Sequence, residues 1–142
     1  MRTLKKRLRT DVREFEALNR ELAEFLDANA VRPGVAYAVH LAVEEMVLNV
    51  MKHAYGGNTD RFVDLALEVN APDVTVQIED DGAPFDPRQV LPPALDVPAR
   101  ERRVGGLGIH LVRSVAESLD YERAGERNRV RIRITPASAF GS

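Results

Sequence analysis

Glu45 and Asn49 stand four residues apart, with Lys52 and His53 just beyond, in a stretch otherwise nearly free of polar side chains. Between Val35 and Met51 only His40, Glu44, Glu45 and Asn49 interrupt a run of aliphatic, aromatic and methionine residues. On a helix, residues i and i+4 are neighbours about 6 Å apart at Cβ, so the carboxylate and the amide stack on one stripe. A helix that is apolar nearly all round belongs in the interior, and polar groups stacked there point to a lined cavity. On the helix alone, the pair reads equally well as a rim carboxylate bound to Lys52 and a satisfied core amide. Asp80-Asp81-Gly82 puts an acidic pair and a flexible glycine at the end of an alternating stretch, a usual place for a ligand contact. Gly105-Gly106-Leu107-Gly108 opens a segment of helical period. Glycines at a helix start let free N–H groups and the helix dipole meet an anion, which makes a phosphate cradle; the alternative is a hinge without a ligand.

Each group needs an element to hold it. Asp11 and Glu14 have the spacing of a capping box, and Val12, Phe15, Leu18, Leu22, Phe25 and Leu26 recur at helical spacing, which predicts an amphipathic helix over 11–29. Pro33-Gly34 punctuates the chain before a long central helix that runs to Tyr55. Val63, Leu65, Leu67 and Val69 then alternate with polar residues, as do Val74, Val76 and Ile78, with Asn70-Ala71-Pro72-Asp73 between them as a turn. These two runs predict an antiparallel hairpin leading into Asp80. Residues 83–104 hold five of the eight prolines and no period, and read as a lid. The helix after the glycines has Ile109, Val112, Val115, Ala116 and Leu119 as its apolar positions. Tyr121-Glu122-Arg123 leads to a turn at Gly125–Asn128, and Val130, Ile132 and Ile134 alternate with arginines as a last strand. The first residues, Arg2 to Arg9, fit a short edge strand whose Lys and Arg discourage further pairing.

Composition narrows the function. A chain of 142 residues is expected to form one domain, residues 1–142, with a single core. Without cysteine there is no disulfide framework and no thiol chemistry. A formal net charge of -2 supplies no general attraction to nucleic acid or anionic membrane, although all but three of the 20 cationic residues are Arg, suited to phosphate and carboxylate. The basic start lacks the apolar run of a signal peptide, and no stretch approaches 18 uninterrupted apolar residues. The expected location is therefore cytoplasmic, with neither a nucleic acid nor a membrane as partner. His40, His53 and His110 lack ligand spacing, and neither a dinucleotide fingerprint nor GxxxxGK[ST] is present.

Glu45-x-x-x-Asn49, Asp80-x-Gly82 and Gly106-x-Gly108, in this order with a lid before the last, resemble the N, G1 and G2 boxes of the GHKL, or Bergerat-fold, ATPase superfamily. Within it, EEMVLNVMKHAY, DDGAPFDP and GGLGIHLVRSVAESLDYER look like the free-standing anti-sigma factor and serine-protein kinase family, a likeness covering about residues 10–134. The resemblance implies an α+β fold, a two-layer α/β sandwich with a mixed, mostly antiparallel sheet, helices on one face and an ATP lid. It implies ATP and Mg2+ as cofactors. Asp80 would read the adenine amino group and Gly82 would let the backbone come close; Asn49 would hold the metal; Glu45 would be the catalytic base. Gly105, Gly106, Leu107 and Gly108 would hold phosphates, with Lys52, His53 and Arg103 or its neighbour Arg102 around them. The implied reaction is phosphorylation of a serine on a STAS-like anti-sigma factor antagonist, with release or capture of a sigma factor, and a homodimer is compatible with it. The rival readings are a nucleotide-binding switch module without kinase activity and the ATP-binding domain of a histidine kinase. The second lacks, in this length, a phosphoacceptor helix pair.

Overall fold

In the computed structural model, residues 2–57, 60–90 and 106–139 are described. Strand β1 (Thr3–Arg9) leads to helix α1 (Val12–Ala28), which Asp11 caps by accepting the Arg13 N–H at 2.8 Å. Glu14 accepts from the Arg9 N–H at 3.3 Å, two residues before the Asp11 N–H that a capping box uses, so the cap forms without the expected reciprocal pair. Helix α2 (Pro33–Asn49) follows, then β2 (Phe62–Asn70), β3 (Asp73–Asp80), a 3₁₀ turn (Pro87–Gln89), α3 (Gly106–Val115), β4 (Ser118–Ala124) and β5 (Arg127–Ile134).

The strands form one five-stranded sheet in the order β1-β2-β3-β5-β4, and every pairing within it is antiparallel. Alternation decides its two faces. Leu8, Val63, Leu65, Leu67, Val69, Val74, Val76, Ile78, Val130, Ile132 and Ile134 are buried on one side. They meet Leu18, Leu22, Phe25 and Leu26 of α1, Val35, Val39, Val43, Met46 and Val47 of α2, and Val112 and Val115 of α3 in one core. The helices therefore cover one face, the two-layer α+β sandwich expected, and the other face carries the charges. With a mean hydropathy of 1.2, the stretch Pro33–Ala54 is apolar enough to pass for a membrane span; half of it is buried inside the protein.

Two boundaries differ from expectation. The third helix ends at Val115, and Leu119 lies on β4, a strand the periodicity did not announce. Leu119 fits helical and strand spacing alike, and β4 has no fully buried position to sharpen its alternation. The central helix is α-helical only to Asn49; Val50–Ala54 continue it as a π-helical turn, closed where Tyr55 N–H donates to Val50 O at 2.9 Å. Such wide turns inside helices are frequent at functional sites.

Candidate functional site

Along β3 the inward positions run Val74, Val76, Ile78 and then Asp80, and along β5 they run Ile134, Ile132, Val130 and then Asn128. Asp80 and Asn128 are register partners, so the apolar face of the sheet ends in a buried carboxylate beside a buried amide. Asp80 Oδ1 accepts from Gly82 N–H and from Asn128 Nδ2, both at 2.9 Å. Its Oδ2 takes no partner among the described residues. Burial pushes the Asp80 carboxyl above its ordinary value, and the two N–H donors partly offset this. Asn128 also donates to Ala83 O at 2.9 Å, and its Oδ1 accepts from Tyr121 OH and from Phe85 N–H at 3.3 Å. It thereby ties the carboxylate to the start of the proline-rich segment. Sequence reasoning placed Asn128 in a turn; counting back by two from Val130 along the strand would have found it.

Asp81 faces the other way. Its Oδ1 accepts from Arg61 Nη2 at 2.8 Å and Tyr55 OH at 3.0 Å, while Arg61 lies 4.4 Å above the Tyr55 ring. These donors hold the Asp81 carboxyl below its ordinary value, and burial pushes the Tyr55 phenol up to about 12. The acidic pair is thus one inward group and one that pins the loop after the central helix.

On α2, Asn49 is buried and donates from Nδ2 to Glu45 O at 2.7 Å. Because that contact needs the amide nitrogen, Oδ1 is the atom left for another partner. Glu45, Leu48, Asn49, Met51, Lys52 and Gly57 line a cleft of about 430 Å3. Glu45 and Lys52 make no ion pair among the described residues, so that half of the alternative is not seen, whereas Asn49 is, as it held, a buried amide with a partner. Burial, then the neighbouring Glu44, raises the Glu45 carboxyl above its ordinary value. His53 leaves the stripe and stacks on Phe85, ring centroids 4.5 Å apart. Burial, then Lys52, lowers its imidazole.

Helix α3 meets this stripe at Gly108, where an added Cβ would lie 1.9 Å from Glu45 Oε2. The glycine is the space the carboxylate occupies. Gly106 and Leu107 form the first turn of the same helix. Gly82 has a packing reason of its own: a Cβ there would stand 2.5 Å from the backbone oxygen of Ala54, at the end of the π-helical turn. Glu45, Asn49, Lys52 and Gly108 are thus brought together, and Asp80 is anchored where β3 abuts the same helix. Gly105, Arg102, Arg103 and residues 91–104 of the expected lid lie outside the described residues. His110 lines a separate cleft of about 670 Å3 with Arg88 and Arg113.

Residues 8–134 match the model of the histidine kinase-like ATPase domain. The serine/threonine-protein kinase BtrW of Bordetella bronchiseptica is 30% identical over 87 residues, which is 61% of this chain and 61% of that protein. The anti-sigma F factor of Clostridium novyi is 33% identical over 96 residues, 66% of this chain and 65% of that protein. The matches thus span less than two thirds of the length of these relatives. In fold, the crystal structure of the RsbU and RsbW domains of a Mycobacterium tuberculosis protein is similar, with a TM-score of 0.63 at 13% identity, over 95% of this chain and 32% of that one.

Proposed function

The chain belongs to the family of histidine kinase-like ATPase domains, and from that premise we propose that it is an ATP-binding protein kinase of the anti-sigma factor type. Its substrate is a serine on a STAS-like antagonist, and phosphorylation there changes which partner, antagonist or sigma factor, the chain holds in the cytoplasm. The observation that carries this reading is the meeting of the Glu45 carboxylate with the first turn of α3 at Gly108, which joins a proton acceptor to an anion-favouring helix start.

The residues fit the groups they would hold. Asp80 Oδ2 has no partner among the described residues at the end of a buried strand, where an acceptor suits the amino group of adenine. Asn49 presents Oδ1 with its NH2 already bound, the uncharged oxygen a magnesium ion can take without adding negative charge beside phosphates. Magnesium, when bound, neutralises charge that develops on the phosphate oxygens. Backbone N–H groups from Gly106 to Gly108 hold the phosphates in place, with Gly105 and Arg103 assigned to the same task by resemblance. Lys52, in the cleft, supplies a cation. His53 is assigned by resemblance to the nucleotide's surroundings, resting on Phe85. Glu45 takes the proton from the serine hydroxyl as its oxygen bonds to the γ-phosphorus and the bond to the leaving diphosphate breaks. Burial, then Glu44, raises the Glu45 carboxyl above its ordinary value, which makes its carboxylate a stronger base.

Incubation with γ-labelled ATP and candidate antagonist proteins tests the reading. Label on serine, stable to acid and labile to alkali, is the expected result. Acid-labile label on histidine would favour a histidine-kinase domain, and bound ATP without any transfer would favour a switch module.

A further inference from the structure

Beside the Glu45 cleft, where the start of α1 crosses the end of α2, lies a second, smaller groove of about 170 Å3. Phe15, Leu48 and Met51 give it an apolar lining, and Asp11, Glu16 and Glu44 surround it with carboxylates. Leu48 and Met51 line the Glu45 cleft as well, so the two hollows adjoin across these side chains. Leu48 is 45% exposed although every neighbour on its own turn of α2 except Glu44 and Glu45 is buried or nearly so. None of the three carboxylates forms an ion pair among the described residues; Asp11 engages one oxygen in capping α1, and Glu16 and Glu44 are exposed. An apolar pit of this size holds about six waters' worth of volume, enough for one aliphatic or aromatic side chain.

We propose that this groove docks the protein substrate: it receives a segment with one large apolar side chain flanked by Lys or Arg, and so brings the acceptor hydroxyl to the adjoining Glu45 cleft. The proposal rests on the kinase reading for the identity of the occupant. Charge selects a foreign partner over a second copy of the chain, because a two-fold contact across the groove would set Asp11, Glu16 and Glu44 against their own counterparts. A basic, apolar segment instead finds complementary charge around a single anchoring pocket.

The test is selection of twelve-residue peptides from a random displayed library on the full chain, followed by fluorescence anisotropy of the enriched sequences. Enriched peptides should pair a Leu, Met, Phe or Tyr with at least one Lys or Arg. Their affinity should fall about tenfold or more in Glu16→Lys/Glu44→Lys, both at exposed positions, and again in raised salt. Leu48→Asp should abolish binding. Far-UV circular dichroism and the melting temperature of the same variants report that they are folded. No enrichment, acidic consensus sequences, or equal binding by the double variant would overturn the proposal. So would a concentration-dependent dimer in sedimentation that the double variant dissolves, since the groove would then be covered by a second copy. Peptide binding without any phosphotransfer would sink the kinase reading and leave the groove; phosphotransfer with no peptide binding would do the reverse.

Discussion

Among the described residues only one oxygen of Asp80 is engaged, and that makes its substitution informative. In Asp80→Asn the Gly82 and Asn128 donors keep the amide oxygen at the Oδ1 position, which forces the NH2 to where Oδ2 was. The variant should stay folded yet offer a donor where the adenine amino group needs an acceptor, so calorimetry should find ATP binding lost. The sign of the stability change follows from burial. The Asp80 carboxyl is raised in the folded state, so its ionised form costs stability above that raised value, and the cost is relieved as pH falls through it. The ligand-free melting temperature of Asp80→Asn near neutral pH should therefore equal or exceed that of the parent. Unchanged ATP affinity would remove the adenine-reading role. For Glu45 the expected pH profile of phosphotransfer has an acid limb, falling as the carboxylate protonates, centred above the ordinary carboxylate range because burial and Glu44 both raise it. Glu45→Gln should lower turnover about a hundredfold or more while leaving ATP affinity nearly intact. Full turnover in that variant would leave positioning and the metal as the whole of catalysis.

At the scale of elements, two glycines that look alike in the sequence have opposite consequences. Gly82 touches backbone: a Cβ 2.5 Å from the Ala54 oxygen has nothing flexible to displace, and the end of β3 must move off the π-helical turn. Gly82→Ala should cost about 1–3 kcal/mol by overpacking, read from denaturant midpoints. Gly108 touches the far end of a side chain that can swing away, so Gly108→Ala should melt within a few degrees of the parent yet lose phosphotransfer as Glu45 Oε2 is displaced. A Gly108→Ala protein with full activity would separate Glu45 from the α3 junction. The π-helical turn belongs to the same contact: it ends at Ala54, whose carbonyl also accepts the Ala83 N–H at 2.9 Å. The helix that carries Glu45 and Asn49 is thereby tied to the strand that carries Asp80.

Over the whole molecule, the helix-covered face of the sheet holds the core and the site, and the other face is a set of charged columns. Arg127 and Arg129 of β5 reach Asp64 of β2, Glu79 of β3 and Glu122 of β4, all partly exposed, so salt screens them and they add little stability. Ligand linkage acts on the entire fold instead: ATP at a hundred times its dissociation constant should add about 2.7 kcal/mol, seen as a rise of a few degrees in melting temperature that Asp80→Asn abolishes. The sequence by itself determined what is periodic or local. Alternation from Val63 to Ile78 set a hairpin, the stripe of Phe15, Leu18, Leu22 and Leu26 set α1, and Glu45, Asn49, Asp80, Gly82 and Gly108 were legible by type and spacing. Tertiary structure alone decided that His53 leaves the stripe for Phe85, that Leu119 belongs to a strand, and that Gly82 answers to Ala54. Above all it decided that Asn128, 48 residues from Asp80, orients that carboxylate. Periodicity records how a residue relates to its near neighbours in the chain, whereas a hydrogen bond between β3 and β5 exists only once the register of the sheet has closed.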